Sequence, residues 1–430
     1  MASTTKIVEL SLLIAKETAK VDGFLSRKGL AAPSFDEDAP QSIPIPDESA
    51  DIKEARLAVI EACSELKDLM TGPKELLRFK WTDYVSVKAI LRFRLDKSFP
   101  VGQSTSFEAM SKFSGLNVMN VRRIVRHAII NHHFFKEDTP GVITHSALTA
   151  ILADNELARN SLVVELDEFW PAAVRVADAM EKWPNSEEPN ETGFSLANNS
   201  SKSMFDIFAE EPFRGERFGR YFSQDKTADG LLDNYPWAEK ATMVDVGGSH
   251  GSVAISIAER FPHMKCYVQD LRDTVAEGAS RLPTELQDQV TFMEQYVGDL
   301  NLTGTKLTTI SDFFTEQPVI ADVYYFKSIF HNWADKYSVK ILQNLVPALK
   351  KGARIIIHER ILPGLESLTT VDARRAINLD VGMLQLLNAQ QREMHEWPKV
   401  FSRAHPGFRY LGAHQPPDAV RWIIEAEWQG

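Results

Sequence analysis

Apolar residues recur at helical spacing near the start of the chain. Ile7, Leu10, Leu13, Ile14, Val21 and Leu25 share one stripe, with Thr18 a mild interruption, so residues 1–28 are predicted to be helical. Residues 31–50 hold Pro33, Pro40, Pro44 and Pro46 among several acids and read as an exposed linker. A second helix is predicted over Ile52–Leu69, with Ile52, Ala55, Val59, Ala62, Leu66 and Leu69 on its stripe. Apolar faces this close to a terminus need cover, and another subunit could supply part of it. Residues 82–145 have a different texture. Ser106–Phe113 and Val118–Ile130 read as short helices joined by Ser114, Gly115 and Leu116. Phe134–Phe135 and Val142–Thr144 flank a Pro140–Gly141 turn, as in a hairpin or wing. Helix, turn, helix and wing is the outline of a winged helix.

Residues 160–235 are aromatic and polar, with Trp170, Trp183, Phe205, Phe208, Phe213, Phe218 and Phe222, and read as helices bridging two domains. From 240 onward the period changes. Thr242–Val246, Lys265–Gln269, Val290–Met293, Val323–Phe326 and Arg354–Ile357 are short apolar runs, as expected for parallel strands buried on both faces. Val253–Phe261 and Lys336–Leu349 are helices between them. Phe408–Leu411 and Arg421–Trp428, joined through Pro416–Pro417, could close the sheet as an antiparallel hairpin. The fold class is α/β: a C-terminal doubly wound, Rossmann-like domain with an N-terminal all-α dimerisation region containing a winged helix. The boundaries expected are 1–75 for the first helices and linker, 76–155 for the winged helix, 156–235 for the bridging helices and 236–430 for the catalytic domain.

The net charge of −11 over 430 residues argues against a general nucleic-acid binder. Arg122, Arg123 and Arg126 on the second winged-helix segment leave two readings, a DNA-reading face or a solvated or interface face. Cys63 and Cys266 are the only cysteines and have no partners at metal-site spacing, so neither a disulfide framework nor a metal is expected. The N-terminus lacks a signal peptide's basic start and apolar run, and no stretch approaches ~20 apolar residues. A cytoplasmic protein off the membrane is the expectation.

The strongest chemical signal is Val244-Asp245-Val246-Gly247-Gly248-Ser249-His250-Gly251, which follows one predicted strand and opens one predicted helix. Glycines there admit a ligand to the backbone, and the helix start offers free N–H groups. Asp270 ends the next strand, 23 residues after Gly247, where an acid can accept both ribose hydroxyls of an adenosine cofactor. Turn and acid together do not separate NAD from S-adenosylmethionine. The spacing is not G-x-G-x-x-G, however, which favours a cofactor without a pyrophosphate. The second signal is Lys327-Ser328-Ile329-Phe330-His331-Asn332-Trp333-Ala334-Asp335, after the fourth predicted strand. His331 could be a general base on a phenol or enol, or a structural histidine capping the next helix.

VDVGGSHG and FKSIFHNWAD together resemble the class I S-adenosylmethionine-dependent O-methyltransferases of plant and fungal secondary metabolism, the caffeic-acid and flavonoid type. IVELSLLIAKETAKVDGFL, the stretch ending HSALTAIL, SMFDIFAEEPFRGERF, VQDLRDTVAEG, SDFFTEQP and HERILPG resemble the fungal branch, across nearly the whole chain. The resemblance implies S-adenosylmethionine as cofactor and His331 as general base, oriented by Glu359. It implies cofactor contacts from Gly247, Gly248, Ser249, Asp270, Leu271, Asp312, Phe313 and Lys327, with Asp270 on the ribose and Asp312 and Phe313 flanking the adenine. It also implies a homodimer and a small aromatic or polyketide-derived substrate between the domains, walled by Trp170, Phe205, Asn332, Met383 and Leu387. Three departures stand out. Ser249 replaces the third glycine. Gln391, in NAQQREMHEW, occupies the position of a second acid that pairs with the histidine. Tyr296–Ile310 resembles an insertion before Asp312 and makes Asp299 a weaker alternative in the adenine site. Gln391 keeps a rival open, a methyltransferase-fold pericyclase, cyclase or dehydratase that binds S-adenosylmethionine without transferring methyl. A non-enzymatic winged-helix regulator is the third reading.

Overall fold

The computed structural model describes residues 4–46, 48–222, 230–294, 314–362, 364, 370–417 and 419–430. Asp312, Phe313, Asp299 and the segment 296–310 lie outside the described residues. The chain forms two compact units, Met1–Asp167 with Leu368–Asp372, and Glu168–Ser367 with Ala373–Gly430.

In the first unit, α1 (Lys6–Lys28) and α2 (Ala50–Thr71) pack together through Leu10, Leu25, Ile52, Ala55 and Ala62. Only part of each predicted stripe is covered, since Ile7, Leu13 and Leu69 remain exposed. The proline-rich stretch between them has no helix or strand but is tethered. Phe35 stacks on His133 with ring centroids 4.2 Å apart, Glu37 accepts from the Gly102 N–H, and Asp36 pairs with Lys136. Further on, α3 (Phe107–Ser114) and α4 (Val118–His132) start at caps from Ser106 and Asn117, which accept the Ala109 and Met119 N–H groups. The hairpin Lys136–Thr139/Val142–Thr144 follows, and Ser104–Thr105 adds a third strand. The N-terminal region is mainly helical and carries a small sheet whose strands are two to four residues long, its hairpin turning at Pro140–Gly141 with the first strand at Lys136–Thr139 and not at Phe134–Phe135. Two of the three arginines on α4 are engaged within the unit. Arg126 makes a forked pair with Glu137 at 2.6 and 2.7 Å, and both Arg122 and Arg126 lie over the Phe107 ring.

The second unit is built on a seven-stranded sheet. Its strands are β1 (Thr242–Val246), β2 (Lys265–Asp270), β3 (Val290–Glu294), β4 (Val323–Lys327), β5 (Arg354–Glu359), β6 (Phe408–His414) and β7 (Trp422–Trp428). Their spatial order is β6-β7-β5-β4-β1-β2-β3. Adjacent strands from β3 to β5 pair in parallel, and β7 runs antiparallel to both β5 and β6. Alternate residues feed two cores, one per face. Val244, Tyr324, Phe326, Ile355 and Ile357 enter one, and Met243, Val323, Tyr325 and Ile356 the other. The covering helices are amphipathic: α5 (Ser252–Arg260) buries Val253, Ala254, Ile257 and Ala258. Two more helices are used below, α6 (Asp335–Leu345) and α7 (Thr370–Leu387), and α8 (Trp397–Ala404) buries Trp397, Val400, Phe401 and Ala404. Strand order reverses between β1 and β4, so the carboxyl ends of β1, β2, β4 and β5 form one row at the crevice where such sheets bind ligands. No described helix is long and apolar enough to cross a membrane.

Candidate active site

The chain leaves β1 through Gly247 (φ 72°), Gly248, Ser249 (φ 53°) and Gly251 (φ 76°) before entering α5. A Cβ on Gly248 would lie 2.5 Å from the Asp245 carboxyl carbon, so a side chain there would force the turn apart. Gly247 and Gly248 N–H groups donate to the Gln269 carbonyl at 2.8 and 3.2 Å, which ties the turn to β2. Ser249 takes a left-handed conformation that costs a non-glycine residue about 1–2 kcal/mol. Its N–H donates to Asp270 Oδ2 at 2.8 Å, an offsetting charge-assisted bond. Asp270 Oδ1 accepts the Leu271 N–H at 2.7 Å. Each carboxylate oxygen thus holds one backbone donor and has a lone pair left for a hydroxyl. Burial raises the Asp270 pKa, and the two backbone N–H groups oppose the rise.

Asp245 had no assigned role in the sequence reading. It is an acid within an otherwise apolar strand, and that contrast was the available signal. Its side chain is buried and Oδ2 has no hydrogen-bond partner among the described residues. Burial, with Asp270 adding, pushes its pKa up to about 7, while Lys327 opposes the shift. A buried carboxyl with one oxygen left unpaired beside a glycine turn suits a cationic group. S-adenosylmethionine carries both an ammonium and a sulfonium, so the acids and the turn fit it.

His331 sits on a 3-10 turn, Phe330–Asn332, just past the end of β4. Glu359 ends the neighbouring β5 and is fully buried. Its Oε1 accepts the N–H groups of Phe330 at 2.8 Å and His331 at 3.3 Å. Its Oε2 lies 3.0 Å from His331 Nδ1, at ion-pair distance but without the alignment of a hydrogen bond. Such contacts commonly tighten only in the reacting complex. The same turn is gripped from its carbonyl side by Arg392, a residue that sequence reasoning missed. Arg392 is buried. It donates to the carbonyls of Phe330 at 2.9 Å and Trp333 at 2.8 Å, and its Nε to Asp335 Oδ1 at 3.0 Å. A short parallel pairing of Arg392–Glu393 with Ile361–Leu362 fixes its backbone.

Gln391 precedes this arginine and is buried. Its N–H donates to Asp380 Oδ1 on α7 at 2.8 Å, while neither side-chain amide atom has a partner among the described residues. Asn332 bridges its own turn, donating to the Ser328 carbonyl at 3.2 Å. Met383 and Leu387 of α7 join Phe194, Ile207 and Phe208 in one apolar cluster, with Phe205 packed against it. Trp170 is half-buried and is not a member of that cluster, although Ala172 is and Phe169 packs against it. Every described candidate residue falls in the second unit.

An O-methyltransferase domain matches residues 187–409. The chain is 37% identical to the grayanic acid biosynthesis cluster O-methyltransferase of Cladonia grayi, over 99% of this chain and 88% of that one. Among solved structures, OxaC in complex with S-adenosylhomocysteine and oxaline aligns with TM-score 0.73 and 20% identity, over 98% of this chain and 100% of that chain. A pericyclic reaction enzyme aligns with TM-score 0.69 and 19% identity, over 96% and 100%. At such identities the two structures speak to the fold alone.

Proposed function

The chain belongs to the S-adenosylmethionine-dependent O-methyltransferases, in the branch of fungal secondary metabolism, and on that premise we propose that it methylates a phenolic or enolic hydroxyl of a small metabolite with His331 as general base. The observation that carries this is the His331–Glu359 contact of 3.0 Å, held at the carboxyl ends of adjacent strands in the same row as the glycine turn. S-adenosylmethionine supplies an electrophilic methyl group. Asp270 would hold its ribose hydroxyls and Gly247, Gly248, Ser249, Leu271 and Lys327 would contact it, while Asp312 and Phe313, outside the described residues, would be its adenine contacts by the family resemblance. Phe205, Met383 and Leu387, with Trp170 and Asn332, orient the acceptor. Its hydroxyl proton passes to His331 Nε2, and Glu359 steadies the imidazolium from the other nitrogen. Orientation supplies much of the rate. The test is radiolabelled methyl transfer to a panel of phenols, followed by product mass. A product heavier by one methyl supports the reading, whereas an isomeric product overturns it in favour of a cyclase or pericyclase. The uncharged Gln391 is the observation that favours that second reading.

A homodimer is part of the same proposal. Met70, Leu77, Phe79, Trp81 and Ile130 of the first unit stand largely in water, and a second copy of the chain would cover such a face.

A further inference from the structure

We propose that Gln391 reads a carbonyl oxygen beside the hydroxyl to be methylated, so that the preferred acceptors are ortho-hydroxyaryl carbonyl compounds and their enolic 1,3-dicarbonyl equivalents. This rests on the O-methyltransferase reading and narrows its substrate class.

Gln391 is only 5% exposed, and both its Nε2 and its Oε1 lack hydrogen-bond partners among the described residues. Buried polar groups are almost always paired, and one that is not signals a ligand or a function. The amide is also well placed to meet a substrate. Its own N–H is fixed by Asp380 of α7, the helix that carries Met383 and Leu387 of the apolar cluster. The next residue, Arg392, is locked onto the carbonyls of Phe330 and Trp333, which flank His331 and Asn332. The backbone at Gln391 is therefore fixed between α7 and the turn that bears His331.

An amide and a carboxylate read different partners. A carboxylate accepts only, and repels a ketone, ester or lactone oxygen. Gln391 Nε2 can donate to that oxygen, which a carboxylate cannot do. A carbonyl next to the hydroxyl to be methylated satisfies this donor, and the single hydroxyl proton stays available to His331. The chemistry also helps the base. In such compounds the hydroxyl is tied to its own carbonyl by an internal hydrogen bond, which makes it slow to release its proton. A carbonyl that bonds to Gln391 instead leaves the O–H free to face His331.

The test uses the full-length protein saturated with S-adenosylhomocysteine, with methyl 2,4-dihydroxybenzoate and resorcinol as probes that differ by the ester. Calorimetry on wild type should find the ester bound about tenfold tighter, as expected for a well-placed hydrogen bond or two. Gln391→Glu should erase or invert that ratio. Gln391→Met should bring the ester down to the level of resorcinol. It should also raise the melting temperature of the ligand-free protein by about 2 °C or more, since an unpaired amide has been removed. A lower melting temperature for Gln391→Met means that the amide is paired inside the free protein, and overturns the proposal. So does an unchanged ester-to-resorcinol ratio in both variants. Methyl transfer, measured on the same samples, separates the two readings. Transfer with an unchanged ratio removes Gln391 and leaves the methyltransferase. A shifted ratio without transfer to any phenol removes the methyltransferase and leaves Gln391 as the carbonyl reader.

Discussion

Replacing Glu359 with glutamine tests the catalytic arrangement most sharply, because the geometry predicts more than a loss of charge. Glu359 Oε1 accepts two backbone N–H groups, those of Phe330 and His331, while Oε2 faces His331 Nδ1. In the variant, the amide oxygen must take the Oε1 place, since an NH2 there would oppose two donors. That puts the NH2 against Nδ1. The imidazole must then accept at Nδ1 and carry its proton on Nε2, the nitrogen that should receive the hydroxyl proton. A merely orienting carboxylate would predict a mild loss. The tautomer argument predicts a loss comparable to removing the base, about 10²–10⁴-fold in kcat or ~3–5 kcal/mol. Glu359→Asp keeps the charge and the tautomer with a shorter reach, and should fall between wild type and the glutamine variant. The glutamine variant should also recover as pH rises toward the phenol pKa of ~10, where the acceptor ionises unaided. The assay is kcat at saturating S-adenosylmethionine with the best phenol of the panel, with cofactor affinity measured alongside. Glutamine within about threefold of wild type, or aspartate worse than glutamine, would refute the tautomer argument.

Asp270→Ala should weaken S-adenosylmethionine binding by ~2–4 kcal/mol, the worth of charge-assisted bonds to two hydroxyls; calorimetry showing unchanged affinity removes Asp270 from the cofactor site. Asp245 has a raised folded-state pKa, about 7 against 3.8, so the folded state binds its proton more tightly and this group lowers stability as pH rises from about 4 to 7. Asp245→Asn should therefore gain on wild type across that window, by up to ~4 kcal/mol as an upper bound, and plateau above it; a pH-independent difference in denaturant melts counts against the burial argument. The protein should be a homodimer at micromolar concentration by light scattering, and deleting residues 1–70 should leave insoluble protein or a weakly active monomer; a stable, fully active monomer removes the dimer proposal.

The strands were legible because parallel, doubly covered strands read as unbroken apolar runs. Thr242–Val246 has the same ends in sequence and structure, and Val323–Phe326 and Arg354–Ile357 extend by only one and two residues. Those extra residues, Lys327, His358 and Glu359, are polar, so an apolar pattern stops short of them just where the sheet meets the site. The Asp245 carboxyl showed only as an acid in an apolar strand, and the Arg392 clamp was not legible. A buried arginine is indistinguishable from a surface one until the carbonyls it binds have been located, and those of Phe330 and Trp333 lie about sixty residues upstream. The tether of the proline-rich stretch was hidden for the same reason, since Phe35 and His133 meet only in three dimensions. Glu359 came from the resemblance, and the parallel pairing of β4 with β5 supplies its physical reason. Lys327 pairs with His358, so the residues just beyond each strand end side by side.

Whether this scaffold transfers methyl or has been turned to another reaction is a question about what holds His331. A pericyclic step moves no proton and needs no base. A carboxylate buried as fully as Glu359 is expensive, and its removal from water is compensated only by the two N–H groups and the imidazole it faces. Arg392, buried, and Asp335, partly exposed, form a second ion pair beside the same short turn. Glu359 faces the His331 imidazole while Arg392 holds the carbonyls on either side of it, and a histidine held in this way with a carboxylate behind it suits the proposed proton transfer from a weak acid. Gln391 removes one further carboxylate from that site without disturbing either ion pair. It therefore alters what the site recognises more than whether the site has a base, and this is why the unpaired amide argues for a particular acceptor before it argues for a different reaction.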